Sequence, residues 1–170
     1  MNEKNRVTDC RDISIDEEGR WFYRDKPITN QDILSYFKRN LHRDATGYFI
    51  KNSFGPRVEL GYLGPVRGFP LRVVSFDFSG DGERPRALLD SGETFTPSLS
   101  ELRLLDEETL LLFLPAQGVW ARLAAQAMTD LMDLLDEKDG RYLVLIKGEP
   151  REIERVRKEP DDSDFFFRAR

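Results

Sequence analysis

From Ile13 onward the apolar positions fall into short alternating runs separated by polar turns. Ile13-Ser14-Ile15, the turn Asp16-Glu17-Glu18-Gly19 and the aromatic run Trp21-Phe22-Tyr23 together predict a β-hairpin. Arg24-Asp25-Lys26-Pro27 turns the chain again. Thr29 is then placed as a helix N-cap, with Asp32 three residues on suiting both a capping box and the helix dipole. Ile33, Leu34, Phe37 and Leu41 recur at helical spacing, so a helix packing this face on a sheet is expected, ended by the polar run His42 to Gly47. Tyr48 to Lys51 and Arg57 to Leu63 read as paired strands about the turn Ser53-Phe54-Gly55-Pro56, and Leu71 to Phe78 as a further strand.

The loop Ser79 to Pro85 is the strongest turn signal in the chain and the expected boundary between two lobes. Beyond it come Ala87-Leu88-Leu89, a turn at Asp90 to Glu93, and two apolar runs, Leu102 to Leu105 and Leu110 to Leu114, around the tip Asp106-Glu107-Glu108. Trp120, Leu123, Ala124, Ala127, Met128, Leu131, Leu134 and Leu135 lie on one broad stripe and predict a long helix stopped at Asp139-Gly140. Tyr142 to Ile146 reads as the central strand of a sheet, turning at Lys147 to Pro150 into Arg151 to Val156. The division expected is a mobile polar leader (1–11), an N-terminal α+β lobe (12–78), a loop (79–86), a C-terminal α+β lobe (87–158) and a charged tail (159–170). Within that tail, Phe165-Phe166-Phe167 would be costly to leave in water.

Shifting the chain by 94 positions lays helix, strand and turn on helix, strand and turn. Leu34, Phe37 and Leu41 fall on Met128, Leu131 and Leu135, Tyr48-Phe49-Ile50 on Tyr142-Leu143-Val144, and Pro56-Arg57 on Pro150-Arg151. The fold class expected is therefore α+β, in two related lobes, each a small antiparallel sheet with one principal helix. Two such units bury more apolar surface together than either alone.

Ile15 to Tyr23, with its aspartate-glycine turn and tryptophan strand, then Pro27-Ile28-Thr29 and the helix to Leu41, resembles the bacterial domain-of-unknown-function 1285 family. The order of elements is also similar to the UPF0598 family. The resemblance covers roughly residues 12 to 63. It implies a two-part α+β fold with repeated motifs and a role in binding or signalling, and it brings no catalytic residue. The Arg57 to Gly68 segment departs from the family pattern, where an acidic aspartate-proline stretch is expected.

Composition narrows the function classes. With 39 % apolar and 34 % charged residues the chain is that of a folded protein rather than a disordered one. Its longest apolar-rich run is broken by Pro115, Gln117 and Arg122, far short of a membrane span. The first residues carry both charge signs and no apolar core, unlike a signal peptide. The lone Cys10 fits a reducing compartment, and a cytoplasmic protein is expected. A net charge of −5 with scattered cations disfavours nucleic acid as partner. One cysteine and one histidine do not make a zinc set, so no metal and no cofactor are expected.

The chemistry-bearing residues have plain structural readings. His42-Arg43-Asp44 spells a kinase triplet without the companion motifs and reads as an exposed helix end. Gly61, Gly64 and Gly68 match no phosphate loop. The carboxylates of Asp16 to Glu18 and Asp106 to Glu108 read as solvated turns. More informative are Trp21, Tyr23, Tyr48 and Tyr62, which serve as core or, interleaved with cations, as a binding face. Lys51, Arg57, Tyr62 and Arg67 form the candidate ligand site, no residue being assigned as catalytic. Three cations converging there call for a counter-charge, either an internal carboxylate such as Glu59 or an external anion. The reading is a non-catalytic binding or regulatory module, monomeric or homodimeric, whose partner is a small anionic ligand or a protein. The alternative is an enzyme acting on a small anionic substrate in the cleft between lobes.

Overall fold

The structure, a computed structural model, describes residues 6–78, 84–158 and 167–169. It is α+β, built mostly of strands in several small sheets, with two α-helices among the described residues. Chain contacts divide these residues into two compact units. The first comprises 6–70 and 115–119, the second 71–78, 84–114, 120–158 and 167–169. Most of the loop expected as the lobe boundary, residues 79–83, lies outside the described residues, as do Phe165 and Phe166.

In the first unit, strands β1 (Arg6–Cys10), β2 (Ile13–Ile15), β3 (Trp21–Tyr23) and β4 (Lys26–Pro27) precede helix α1 (Gln31–Arg39). Strands β5 (Leu41–Asp44), β6 (Gly47–Phe54) and β7 (Arg57–Leu63) follow it. β2, β3 and β4 form the expected hairpin ribbon, closed at Arg24-Asp25, both of which take positive φ. The other sheet has the order β1-β7-β6-β5. Its β1 runs parallel to β7, Arg6 opposite Glu59 and Cys10 opposite Leu63. Residues 6–10 therefore belong to a sheet rather than to a leader, and the sheet is mixed rather than antiparallel. The short run Val7-Thr8 is too polar in context to announce a strand, and only the distant β7 supplies its ladder.

The helix expected over Thr29 to Leu41 is shorter. Asn30, not Thr29, is the N-cap, its Oδ1 accepting from the amides of Asp32 and Ile33. After Asn40 the chain straightens, so Leu41, which is fully buried, packs as the first residue of β5. His42-Arg43-Asp44 is thus strand, not an exposed helix end. No residue of α1 is fully buried, and Ile33 is 45 % exposed, so the helix covers its sheet only partly. Its C-terminus is closed by Gln117, whose Nε2 donates to the carbonyl oxygens of Leu41 at 2.9 Å and Lys38 at 3.2 Å. Trp21 anchors the hairpin: it is 3 % exposed, donates from Nε1 to the Pro70 carbonyl and stacks on Phe37.

The second unit contains β8 (Leu71–Asp77), β9 (Arg86–Leu89), β10 (Thr94–Phe95), β11 (Leu102–Asp106), β12 (Thr109–Leu114) and all but the first residue of β13 (Val119–Leu123). They form a six-stranded sheet of order β10-β9-β8-β13-β12-β11, whose β8–β13 pair is parallel. Leu71, Val73, Leu111, Leu112 and Ala121 are fully buried in it. Helix α2 (Ala125–Leu131) then leads through a 3-10 turn to β14 (Leu135–Lys138), β15 (Arg141–Ile146) and β16 (Glu149–Glu152). β17 (Val156–Lys158) and β18 (Phe167–Ala169) pair antiparallel. The long helix expected from Trp120 to Leu135 is therefore a strand, a short helix, a 3-10 turn and the first residue of β14. Val119, Ala121 and Leu123 are buried while Arg122 is exposed, a period of two that makes β13 a strand. Asp139-Gly140, expected to stop a helix, is the left-handed turn joining β14 to β15, while Tyr142 to Ile146 is central in its sheet as expected. Asp130 ties α2 down, its Oδ2 accepting from the Phe76 amide at 2.8 Å beside a bulge in β8.

The two meanders β5-β6-β7 and β14-β15-β16 have the same strand order. Leu41 pairs with Ile50, and Leu135 and Val144, 94 positions beyond each of them, pair likewise.

Candidate functional site

The mixed sheet of the first unit sets where each candidate side chain goes. Successive residues of a strand point to opposite faces. Lys51 lies opposite Leu60, and Phe49 opposite Tyr62, so Lys51, Phe49 and Tyr62 share one face. Arg57 lies opposite Phe54 and belongs to the other face, with Glu59 and Asn52. Lys51 and Arg57 do not converge: a two-residue turn at Gly55-Pro56 fixes the register, and the register separates them. Glu59, expected as an internal counter-charge, has the Arg6 guanidinium at 3.9 Å.

On the Tyr62 face three rings cross three strands. His42 stacks on Phe49 at 5.7 Å, and Phe49 meets Tyr62 at 5.3 Å. Burial, helped by the Lys51 charge, pulls the His42 imidazole below its ordinary value, so the ring is neutral at pH 7. The Tyr62 hydroxyl donates to Asp44 Oδ2 at 2.7 Å, while Asp44 Oδ1 accepts from the amides of Thr46 and Gly47. That bond to a carboxylate, with burial second, raises the Tyr62 phenol. A depression of about 550 Å3 opens beside Tyr62, walled by Thr8, Asp9, Arg11, Thr46 and Gly64.

Arg67 sits elsewhere on the unit. The segment Gly64 to Arg67 runs beside β2: the Gly64 amide donates to the Ile13 carbonyl, Ile15 to Pro65, and Arg67 to Ile15. Glycines permit this approach, since a Cβ on Gly64 would strike the Arg11 carbonyl and one on Gly68 the Asp16 carbonyl. The glycine-rich segment is thus a close crossing of two backbones. The crossing brings Arg67, Arg11 and Arg24 around a second depression of about 320 Å3, with Asp12, Asp16 and Asp25 also on its wall.

The carboxylates there are unequally engaged. Asp12 Oδ2 holds Arg24 Nε at 2.9 Å, a bond that raises the guanidinium's already high value. Asp16 is taken by Arg20 at 2.7 Å. Burial pushes the Asp16 carboxyl upward, but hydrogen bonds from the Arg20 amide and guanidinium outweigh it and leave the value lowered. Among the described residues Arg11 has only the Asp9 carboxylate at 3.9 Å, with its side chain 81 % exposed. Among the described residues the Arg67 side chain makes no hydrogen bond or ion pair. Arg11 walls both depressions and is the residue common to them.

Of the four candidates, then, Tyr62 and Lys51 share a sheet face and Tyr62 and Arg67 line separate depressions that both include Arg11. Arg57 joins neither. Sequence reasoning passed over Arg11 and Arg24. Arg24 carried one usable signal, its place in a two-residue turn that closes beside the start of β2. Arg11 carried none, because its position depends on the pairing of β2 with a segment some fifty residues away.

Among solved structures the chain is similar to a DUF1285 family protein from Silicibacter pomeroyi DSS-3. The identity is 20 %, over 88 % of this chain and 83 % of that one, with a TM-score of 0.67. It is also similar to a DUF1285 family protein from Shewanella baltica OS155, at 17 % identity over 71 % of this chain and 90 % of that one, TM-score 0.56. The likeness is one of fold and agrees with the resemblance drawn from residues 12 to 63. No family model matches the chain, and no curated protein matches it. Among the described residues no helix is long and apolar enough to cross a membrane.

Proposed function

We propose that this protein is a non-catalytic cytoplasmic binding or regulatory module whose ligand is a small anion held by Arg67 and Arg11. One observation carries the reading: Arg67 makes no ion pair among the described residues, yet it stands with Arg11 and Arg24 around one depression. Asp12 offsets Arg24 and Arg20 offsets Asp16, so of the six charges on that wall the guanidiniums of Arg67 and Arg11 face only the carboxylate of Asp25, and that surplus favours an anion beside them. Guanidiniums suit holding rather than chemistry, because they bind carboxylate or phosphate in a fork and keep their protons at neutral pH. Tyr62, whose phenol is raised further from neutrality, gives the neighbouring depression a hydroxyl and a ring face. A ligand spanning both carries its charge at Arg67 and a polar, planar part toward Tyr62.

The same reading takes the chain as two related halves, each a helix followed by a three-stranded meander. What supports kinship is the spacing: α1 and α2 begin 94 positions apart, at Gln31 and Ala125, and β5 and β14 likewise, at Leu41 and Leu135.

The test is thermal shift of the full chain against inorganic phosphate, citrate and mononucleotides, wild type beside Arg67→Ala and Arg57→Ala. A charge-assisted contact contributes about 1.5–3 kcal/mol, so Arg67→Ala should weaken the stabilising anion roughly ten- to a hundredfold. Arg57→Ala, on the opposite face of the sheet, should leave the affinity unchanged. No anion raising the wild-type melting temperature, or equal shifts in wild type and Arg67→Ala, refutes the reading.

A further inference from the structure

The second unit carries an apolar pocket that the anion reading does not use. Its floor is Leu104, Leu110 and Ile153, each under 5 % exposed, and its walls are the half-buried Met128, Leu135 and Tyr142. Four carboxylates stand on the rim. Glu107 and Glu108 come from the turn between β11 and β12, and Asp136 and Glu137 from β14. All four are exposed, and among the described residues none is paired with a cation. The nearby cations are placed otherwise: Arg155 lies over the Tyr142 ring at 5.8 Å, Arg103 beside Glu154 at 3.4 Å, and Arg141 beside Glu152 at 3.7 Å. Lys138 ends β14.

We propose that this pocket docks a short protein segment bearing one bulky apolar side chain flanked by lysine or arginine. Size decides between a whole small molecule and an anchor residue. The cavity is about 280 Å3, below the roughly 300–1,000 Å3 typical of small-molecule sites, so it holds a single large side chain. Charge decides the flanks. An apolar floor ringed by unpaired carboxylates rejects an acidic neighbour and steers a basic one, the arrangement in which rim charges give specificity and the buried anchor gives residence. Two of the carboxylates lie on β14, an edge strand of its three-stranded sheet, whose open backbone suits an extended partner. The site lies wholly in the second unit and is independent of Arg67.

The experiment is fluorescence anisotropy of the full chain with labelled hexapeptides. The probe is Lys-Arg-Phe-Ser-Lys-Arg, compared with Lys-Arg-Gly-Ser-Lys-Arg and Glu-Asp-Phe-Ser-Glu-Asp. The probe should bind at least about tenfold more tightly than either companion, because it alone supplies both anchor and flank. The exposed double variant Glu107→Lys with Glu137→Lys, its fold verified by circular dichroism, should lose about tenfold or more in affinity, and added salt should weaken the wild-type complex. Equal binding of both basic peptides would mean attraction to net charge alone and would overturn the proposal. Affinity unchanged in the double variant overturns it as well. So does binding of dodecyltrimethylammonium with no peptide bound, which reassigns the pocket to a small apolar cation.

Discussion

Truncating Phe37 measures how firmly α1 is held. A fully buried phenylalanine cut to alanine costs about 3–5 kcal/mol, and the helical spacing of Ile33, Leu34, Phe37 and Leu41 alone would place Phe37→Ala in that range. The structure argues for less. Phe37 is only half-buried, no residue of α1 is fully buried, and the aromatic contact that ties it to the hairpin is the stack with Trp21 at 6.1 Å and 26°. Half of that cost, with the ring stack already counted in it, gives roughly 2 kcal/mol. At about 2–4 °C per kcal/mol for a chain this long, the melting temperature should fall by roughly 4–8 °C. Trp21→Ala is the internal standard. It removes a ring that is 3 % exposed and strips the Pro70 carbonyl of its donor, so it should cost about 4–5 kcal/mol or more. Urea melts followed by far-ultraviolet circular dichroism give both values. Equal losses for the two variants, or less than about 1 kcal/mol for Phe37→Ala, would refute this account of the helix.

Two further outcomes follow from single contacts. Gln117→Ala should cost about 1–2 kcal/mol by stripping the carbonyls of Lys38 and Leu41 of their donor. Gln117→Glu should cost more, since it sets a carboxylate against carbonyl oxygens at the negative end of α1; paired denaturant melts would show the order. His42 is the single histidine, so one imidazole resonance reports its titration, and it should titrate below about 6.5. Because the folded value is the lower one, the neutral ring's contribution to stability is intact above about 6.5 and is lost as pH falls through the folded value. Lys51→Met should move the resonance midpoint upward, and an unmoved midpoint would remove Lys51 from the account.

The parts legible in the sequence were those fixed within a few residues. The hairpin Ile13 to Tyr23, the turn at Gly55-Pro56, the tip Asp106 to Glu108 and the strand Tyr142 to Ile146 all stand where their turn residues put them. Errors gathered where two periods fit the same letters. Leu41 continues the helical stripe of Leu34 and Phe37, yet it is the first residue of β5, because Gln117 closes the helix from far along the chain. Trp120 and Leu123 fit a helical stripe with Ala127, yet the buried positions are Val119, Ala121 and Leu123, and alternation wins once β8 and β12 flank the segment. The candidate site failed in the same way. Lys51 and Arg57 are close in the hairpin, but an odd number of positions separates Arg57 from Leu60, the partner of Lys51, and the pleat sends them to opposite faces.

Kinship of the two halves, as proposed, has a consequence for where function resides. Both halves would have inherited a helix entering a three-stranded meander, and the register of the first strand pair is the same in each. Their helices have since met different fates. α2 buries Ala127 and Leu131 and is tied to β8 through Asp130, so its loss would open the six-stranded sheet. α1 buries nothing fully and leaves Ile33 and Tyr36 nearly half exposed. A helix under strong packing constraint is poorly placed to acquire new contacts, because each substitution on it also costs core packing. One under weak constraint changes its surface at little cost. On this reasoning the first unit, which also holds Arg11 and Arg67, is the half free to specialise in a ligand. The second keeps its helix as structure and offers recognition only at the acidic rim where β14 and the β11–β12 turn stand clear of the core.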